Sequence, residues 1–100
     1  VRTMTYEYLD DKIYSITDGK VMAEIDFPHR DDKRVNITHV YVDESLRGQG
    51  IASNLMKLAY DFIKSKGWMI VAKCPYAIEW FKKHPDFQDI VINVKTKASL

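Results

Sequence analysis

One hundred residues with a formal net charge of +1 and 46% apolar content make a single domain with room for one modest core. Acids and bases are interspersed, which excludes the basic stripe of a nucleic-acid binder, and no apolar run reaches the ~20 residues of a membrane span. Cys74 is the lone cysteine, so no internal disulfide forms. The N-terminal VRTMTYEYLDD lacks a signal-peptide core, and together these predict a reducing, cytoplasmic setting.

The first half reads as strands. Residues 4–9 (MTYEYL) are a weak strand pattern. Residues 12–17 (KIYSIT) and 20–27 (KVMAEIDF) flank Asp18-Gly19, the strongest two-residue hairpin signal. In the second of these, Val21, Ala23, Ile25 and Phe27 alternate with Met22, Glu24 and Asp26, so one face is apolar. PHRDDKR (28–34) is a polar turn, and VNITHVYV (35–42), rich in β-branched residues, predicts a central strand. DESLRGQG is a loop. From Ile51 to Lys66 the period becomes helical, with Ile51, Leu55, Leu58, Ala59, Phe62 and Ile63 on one side, and Gly67 stops it. WMIVAKC (68–74) predicts a buried strand, YAIEWFKK (76–83) a short helix ended by His84-Pro85, and DIVINVKTK a last strand. Its end, KASL, is expected to fray.

Strand 35–42, helix 51–66 and strand 68–74 form one right-handed crossover with parallel strands. The fold class predicted is α+β: a mixed, mostly antiparallel sheet with helices from the second half on one face. The loop at the head of the long helix, Arg47-Gly48-Gln49-Gly50, has a physical use. The first helical N–H groups lack partners and the macrodipole is positive there, which makes an anion site suited to phosphate. Gly48 and Gly50 let backbone wrap a ligand, and Arg47 adds charge. The pattern is neither a P-loop nor a dinucleotide fingerprint, because Ser53 stands at the third glycine position. A plain glycine turn before a helix is the competing reading.

Arg47-Gly48-Gln49-Gly50-Ile51-Ala52 resembles the R/Q-x-x-G-x-G/A signature of the GCN5-related N-acetyltransferases. The wider pattern of His39, LRGQG, Cys74-Pro75-Tyr76 and His84-Pro85-Asp86-Phe87 is similar to the small, minimal YjdJ-type branch of that family. The resemblance covers roughly residues 13–90. It implies a single minimal acetyltransferase domain over residues 1–100, acetyl-CoA as acetyl donor, and no metal. Backbone N–H groups of Gly48, Gln49, Gly50, Ile51, Ala52 and Ser53 are then expected to hold the pyrophosphate. The strands on either side of the helix would splay, with the pantetheine arm along main-chain groups of Val40, Tyr41 and Val42. Tyr76 and Phe81 would stand beside the cofactor, and the thioester would lie near the end of strand 68–74.

Two residues are candidates for the chemistry. His39, on the strand flanking the cofactor, is of the residue type suited to a general base near neutral pH; a strand histidine satisfied by one hydrogen bond is the structural alternative. By alternation it is expected to share a face with Ile37 and Tyr41. Cys74 is placed where a thiol can accept an acetyl group while His39 takes its proton; a free cysteine equally packs as a small hydrophobe. The tyrosine acid of many family members falls on Phe81 here, which has no hydroxyl, so Tyr76, Cys74 or water would substitute. Trp80 and Phe81 read as packing residues, with cover over the pantetheine as the alternative for either, His84-Pro85 as a stop, and Asp43 and Glu44 as loop solvators. No pair among His29, His39, His84 and Cys74 has zinc-ligand spacing.

Only Asp10-Asp11 separate the first two strands, so the helix pair that full-size relatives place there is missing. This predicts an open acceptor site or a sheet face covered by another subunit. The reading that follows is transfer of acetyl from acetyl-CoA to an unidentified amine of a small molecule or protein, by a monomer or homodimer without nucleic acid or membrane. The alternatives are a module that binds CoA or acyl-CoA with little catalysis, and an interaction domain with no coenzyme.

Overall fold

A computed structural model describes residues 4–94. The strands are β1 (Glu7–Tyr8), β2 (Lys12–Thr17), β3 (Lys20–Asp26), β4 (Arg34–Ile37), β5 (His39–Val42) and β6 (Met69–Ala72). The helices are α1 (Ile51–Ser65) and α2 (Pro75–Lys83), with 3-10 turns at Glu44–Leu46 and Pro85–Phe87. Asp18 and Gly19 both take positive φ, 51° and 78°, as a primed hairpin turn requires. They set Thr17 against Lys20 and Ile16 against Val21; a bulge between Ser15 and Ile16 then shifts the register by one, to Tyr14 against Glu24 and Ile13 against Ile25. Four strands, β1-β2-β3-β5, form an antiparallel sheet, and β4 and β6 form a parallel pair. The mixed, mostly antiparallel architecture with two helices is the class expected from the sequence.

The predicted strand 35–42 is broken at Thr38, and the break organises the molecule. Asp26 is the register partner of His39, yet its carbonyl also accepts the N–H of Thr38 at 3.1 Å. Two residues therefore oppose one, the geometry of a β-bulge. Before the bulge, Arg34–Ile37 pairs with Met69–Ala72; after it, His39–Val42 pairs with Ala23–Asp26. The bulge also changes the facing. Ile37 is fully buried whereas His39 is exposed, so the expectation that they share a face fails.

The apolar face of α1 packs onto the sheet. Leu55, Met56, Ala59 and Ile63 meet Ile13, Ala23, Ile25 and Phe27 in one cluster with Val35, Ile37, Ile70 and Phe81. Each large side chain so buried contributes roughly 1.5–3 kcal/mol. The second helix docks beside the first: the Trp80 indole reaches Ser53, and the ring of Phe87, just beyond α2, stands edge-on to Tyr60 at 4.8 Å.

The tail does not form the expected strand. Val91 makes one parallel bridge to Ile70, and the Asn93 amide then exchanges two hydrogen bonds with the main chain of Ala72, at 2.8 and 2.9 Å. A side chain thus takes over from backbone at the outer edge of β6. The remainder of that predicted strand and KASL lie outside the described residues. At the other end, pattern 4–9 yields only Glu7–Tyr8.

Candidate active site

From Gly48 to Ser53, no backbone N–H has an acceptor among the described residues. The amide before this run, Arg47, is bonded to Glu44 at 3.3 Å, and the one after it, Asn54, to Gly50 at 3.0 Å. Gly50 is the N-cap of α1 and supplies no side chain to satisfy the first turn. Six consecutive donors at the positive end of a 15-residue helix are therefore left unpaired. Gly48 and Gly50 sit at φ 84° and 77°, and a Cβ at either would meet no atom within 4 Å. Glycine is required here for its left-handed backbone, and the space beside it is open.

A cleft of about 160 Å³ lies against this run, lined by Val42, Leu46, Arg47, Gly48, Gly50, Ile51, Ala52, Ser53 and Tyr76. Arg47 reaches back from the loop, its Nε donating to the Val42 carbonyl at 3.3 Å. Gln49 is exposed and outside the lining. Leu46 is a wall residue that sequence reasoning missed, although an apolar residue in a polar loop was a visible signal.

The loop hangs on Asp43. Expected to be a solvated loop residue, Asp43 is instead 6% exposed. Its carboxylate accepts from the Ser45 hydroxyl at 2.6 Å, the Ser45 N–H at 3.1 Å and the Tyr41 hydroxyl at 3.3 Å, and it pairs with Lys20 at 3.0 Å. The Ser45 hydroxyl first, then Lys20 and the Ser45 amide, hold its pKa well below the carboxylate range. The Asp-x-Ser spacing at 43–45 is a capping pattern that could have revealed this anchor.

The main chain of β5 supplies a second row of donors and acceptors. Asp43 donates to Met22 on β3 at 2.8 Å. Counting back by twos turns Tyr41 and His39 toward β3, and Val40 and Val42 toward the gap between β5 and β6. Beyond Ile37, whose carbonyl takes both the Lys73 and Cys74 N–H groups at 2.9 and 3.0 Å, β5 and β6 no longer pair.

Cys74 is half-buried at the far lip of this gap, as the N-cap of α2, with Pro75 at the first helical position. Tyr76 is the second residue of α2; burial, and then the nearby Cys74, push its phenol pKa up. His39 lies on the opposite face of the sheet from the core, its ring parallel to Tyr41 within 9° at 6.5 Å. No hydrogen bond joins His39 to Cys74 among the described residues. On the same face, cross-strand rungs set Lys12, Asp26 and His39 in one row and Tyr14, Glu24 and Tyr41 in the next. Phe81, expected at the cofactor, is fully buried and edge-on to Trp80, because the apolar side of a nine-residue amphipathic helix belongs to the core. No group of three or more His, Cys, Asp or Glu among the described residues could hold a metal, and no helix among them is long and apolar enough to cross a membrane.

A glycine loop with unpaired amides thus stands at the head of the crossover helix, beside strands whose pairing stops after Ile37. The profile of the GCN5-related N-acetyltransferases matches residues 5–90, and the chain belongs to that family, whose members use acetyl-CoA. The chain is similar to a GCN5-like protein from Staphylococcus aureus solved by NMR, with 24% identity, TM-score 0.76, and 94% of this chain covering 93% of that one. It is also similar to YhbS from Escherichia coli, crystallised with CoA, at 26% identity and TM-score 0.54; 65% of this chain covers 40% of that one. Ard1 from Thermoplasma volcanium gives 20% identity and TM-score 0.58, with 75% of this chain on 54% of that one. No curated protein matches.

Proposed function

We propose that this chain transfers an acetyl group from acetyl-CoA to an amine, by way of Cys74. The observation that carries the reading is the unbroken run of unpaired amides from Gly48 to Ser53, whose residues all line the cleft except Gln49. A diphosphate is the ligand such a run fits, with Arg47 adding charge at its side. The open main-chain edge at Val40 and Val42 suits the amide groups of a pantetheine arm, and Tyr76 forms the facing wall.

Bound there, acetyl-CoA supplies an activated acetyl thioester. The protein's own residues do the rest. Cys74 Sγ would attack the thioester carbonyl as His39 takes the thiol proton and passes it to CoA, released as the thiol; the amine then attacks acetyl-Cys74, its proton passes through His39 to Sγ, and the Cys74 thiol is restored. The reading is supported by the position of Cys74 at the lip of the gap, and by His39 just past the bulge on the strand that forms the other lip. With no helix pair between β1 and β2, the acceptor approaches the open face of the sheet. The setting we infer is cytoplasmic.

Mass spectrometry after incubation with acetyl-CoA and no amine tests this. One acetyl group on the wild type and none on Cys74→Ser is the expected result. An unlabelled wild type that still binds CoA by calorimetry favours the second reading, a CoA-binding module with little catalysis, for which the absence of a tyrosine at position 81 speaks. No binding heat at high micromolar CoA refutes both.

A further inference from the structure

Ser53 faces two neighbours at once. Its amide is the last of the six open donors, and its hydroxyl oxygen accepts the Trp80 indole N–H at 2.8 Å. An indole N–H only donates, so Ser53 Oγ is the acceptor in that bond and its own hydrogen must go elsewhere. It does not fold back onto the preceding turn as Ser65 does, whose Oγ donates to the Phe62 carbonyl at 2.6 Å; no described group takes it. Ser53 lines the cleft, so the free hydrogen belongs to a hydroxyl on the wall where the phosphates are proposed to sit.

Trp80 is itself held on all sides. It is 5% exposed, with His84 stacked on it at 3.9 Å and 12°, Phe87 at 5.2 Å and Phe81 at 5.4 Å. His84 Nδ1 bonds the Trp80 carbonyl at 2.6 Å, which fixes the stacked ring at the end of the helix. The indole is therefore a rigid arm from α2, the helix that Cys74 caps, to the first turn of α1.

Resting on the acetyl-CoA reading above, we infer that Trp80 is a positioning residue: by occupying the acceptor side of Ser53 Oγ, it commits the Ser53 hydroxyl to donate into the cleft as a seventh donor for the pyrophosphate. A hydroxyl left free would divide its time between the cleft and the carbonyls of the preceding turn.

The test is an NMR titration of 15N-labelled protein with CoA and, separately, with inorganic pyrophosphate, reading the two indole N–H signals. The Trp80 signal should move with either ligand, in step with the amides of residues 48–53, while that of Trp68 stays still. In Ser53→Ala the Trp80 signal should no longer respond, and the CoA dissociation constant should rise about tenfold, as for loss of one hydrogen bond to a charged group. Ser53→Thr should restore both. Trp80→Phe should weaken CoA binding by no more than Ser53→Ala does, and the double variant should be no weaker than Ser53→Ala alone. Pantetheine, which has no pyrophosphate, should bind Ser53→Ala and wild type alike. If the loop amides move while the Trp80 signal does not, or if Ser53→Ala binds CoA as tightly as wild type, the role of Trp80 is refuted and the acetyl-CoA reading stands. If CoA leaves the loop amides unmoved, that reading itself falls.

Discussion

Asp26→Asn should make the protein more stable at pH 8, with the gain falling to about half at pH 5 and vanishing only below the unfolded pKa. The Asp26 side chain is 26% exposed, and its Oδ1 is buried without a hydrogen-bond partner, Lys12 Nζ lying 3.8 Å off. Burial first, then the neighbouring Glu24 carboxylate, raise Asp26 to about 6. Glu24 is lowered, chiefly because it accepts the proton that Asp26 keeps, while Lys12 at 3.4 Å favours its charge. The folded state thus holds a proton between about pH 4 and 6 that the unfolded chain has released. The stability this gives is complete below the unfolded pKa and is lost as pH rises through 6. A two-unit shift corresponds to about 3 kcal/mol at most; partial solvation and the mobile lysine reduce that to about 1 kcal/mol. The lowered Glu24 acts with the opposite sign and only below its unfolded value near 4.3, so between pH 5 and 8 the slope belongs to Asp26. Asparagine keeps the neutral shape and can still donate to Glu24. Urea unfolding of both proteins at pH 5, 6, 7 and 8 measures the difference, in which the histidines remote from Asp26 cancel and His39, whose charge favours the Asp26 carboxylate, does not. Parallel curves, or a variant less stable at pH 8, would refute the account.

Other substitutions probe the remaining claims. Gly50→Ala forces a Cβ into left-handed backbone at φ 77°, so thermal melting should report a loss of about 1–2 kcal/mol, with weaker CoA binding as the loop relaxes; unchanged affinity would show that this backbone shape does not matter. Phe81→Ala empties a fully buried site and should destabilise by about 3–5 kcal/mol, while calorimetry on the folded protein finds CoA affinity unaltered because Phe81 is absent from the cleft wall. His39→Ala should slow acetylation of Cys74 by about 10²-fold or more at constant CoA affinity; an equal rate would remove His39 from the chemistry.

Local chemistry wrote most of the fold openly. Asp18-Gly19 admits one tight turn, the 3.6-residue repeat from Ile51 names the buried side of α1, and Gly48 and Gly50 mark where the backbone must turn left-handed. Whatever depended on pairing between distant strands was hidden. VNITHVYV reads as one strand because nothing in its composition announces that Thr38 and His39 share a partner, and so the facing of His39 was misjudged. Asp43 was underestimated because Lys20, which neutralises it, is 23 residues away. Phe81 was assigned from a family position, whereas the short helix that carries it has only one apolar side and spends it on the core. DIVINVKTK has strand composition, but β6 takes its outer neighbour from a single residue and an asparagine side chain.

The extra residue at Thr38 lets one length of chain serve two neighbours in succession. Delete it, and the ladder closes up into one regular strand against β3: Ile37 stays inward, and His39 and Tyr41 keep the outer face. The bend that this mismatch of one puts into the strand sets β5 apart from β6 with no bulky wedge, so deleting Thr38 should straighten the strand and narrow the seam while His39 keeps its face.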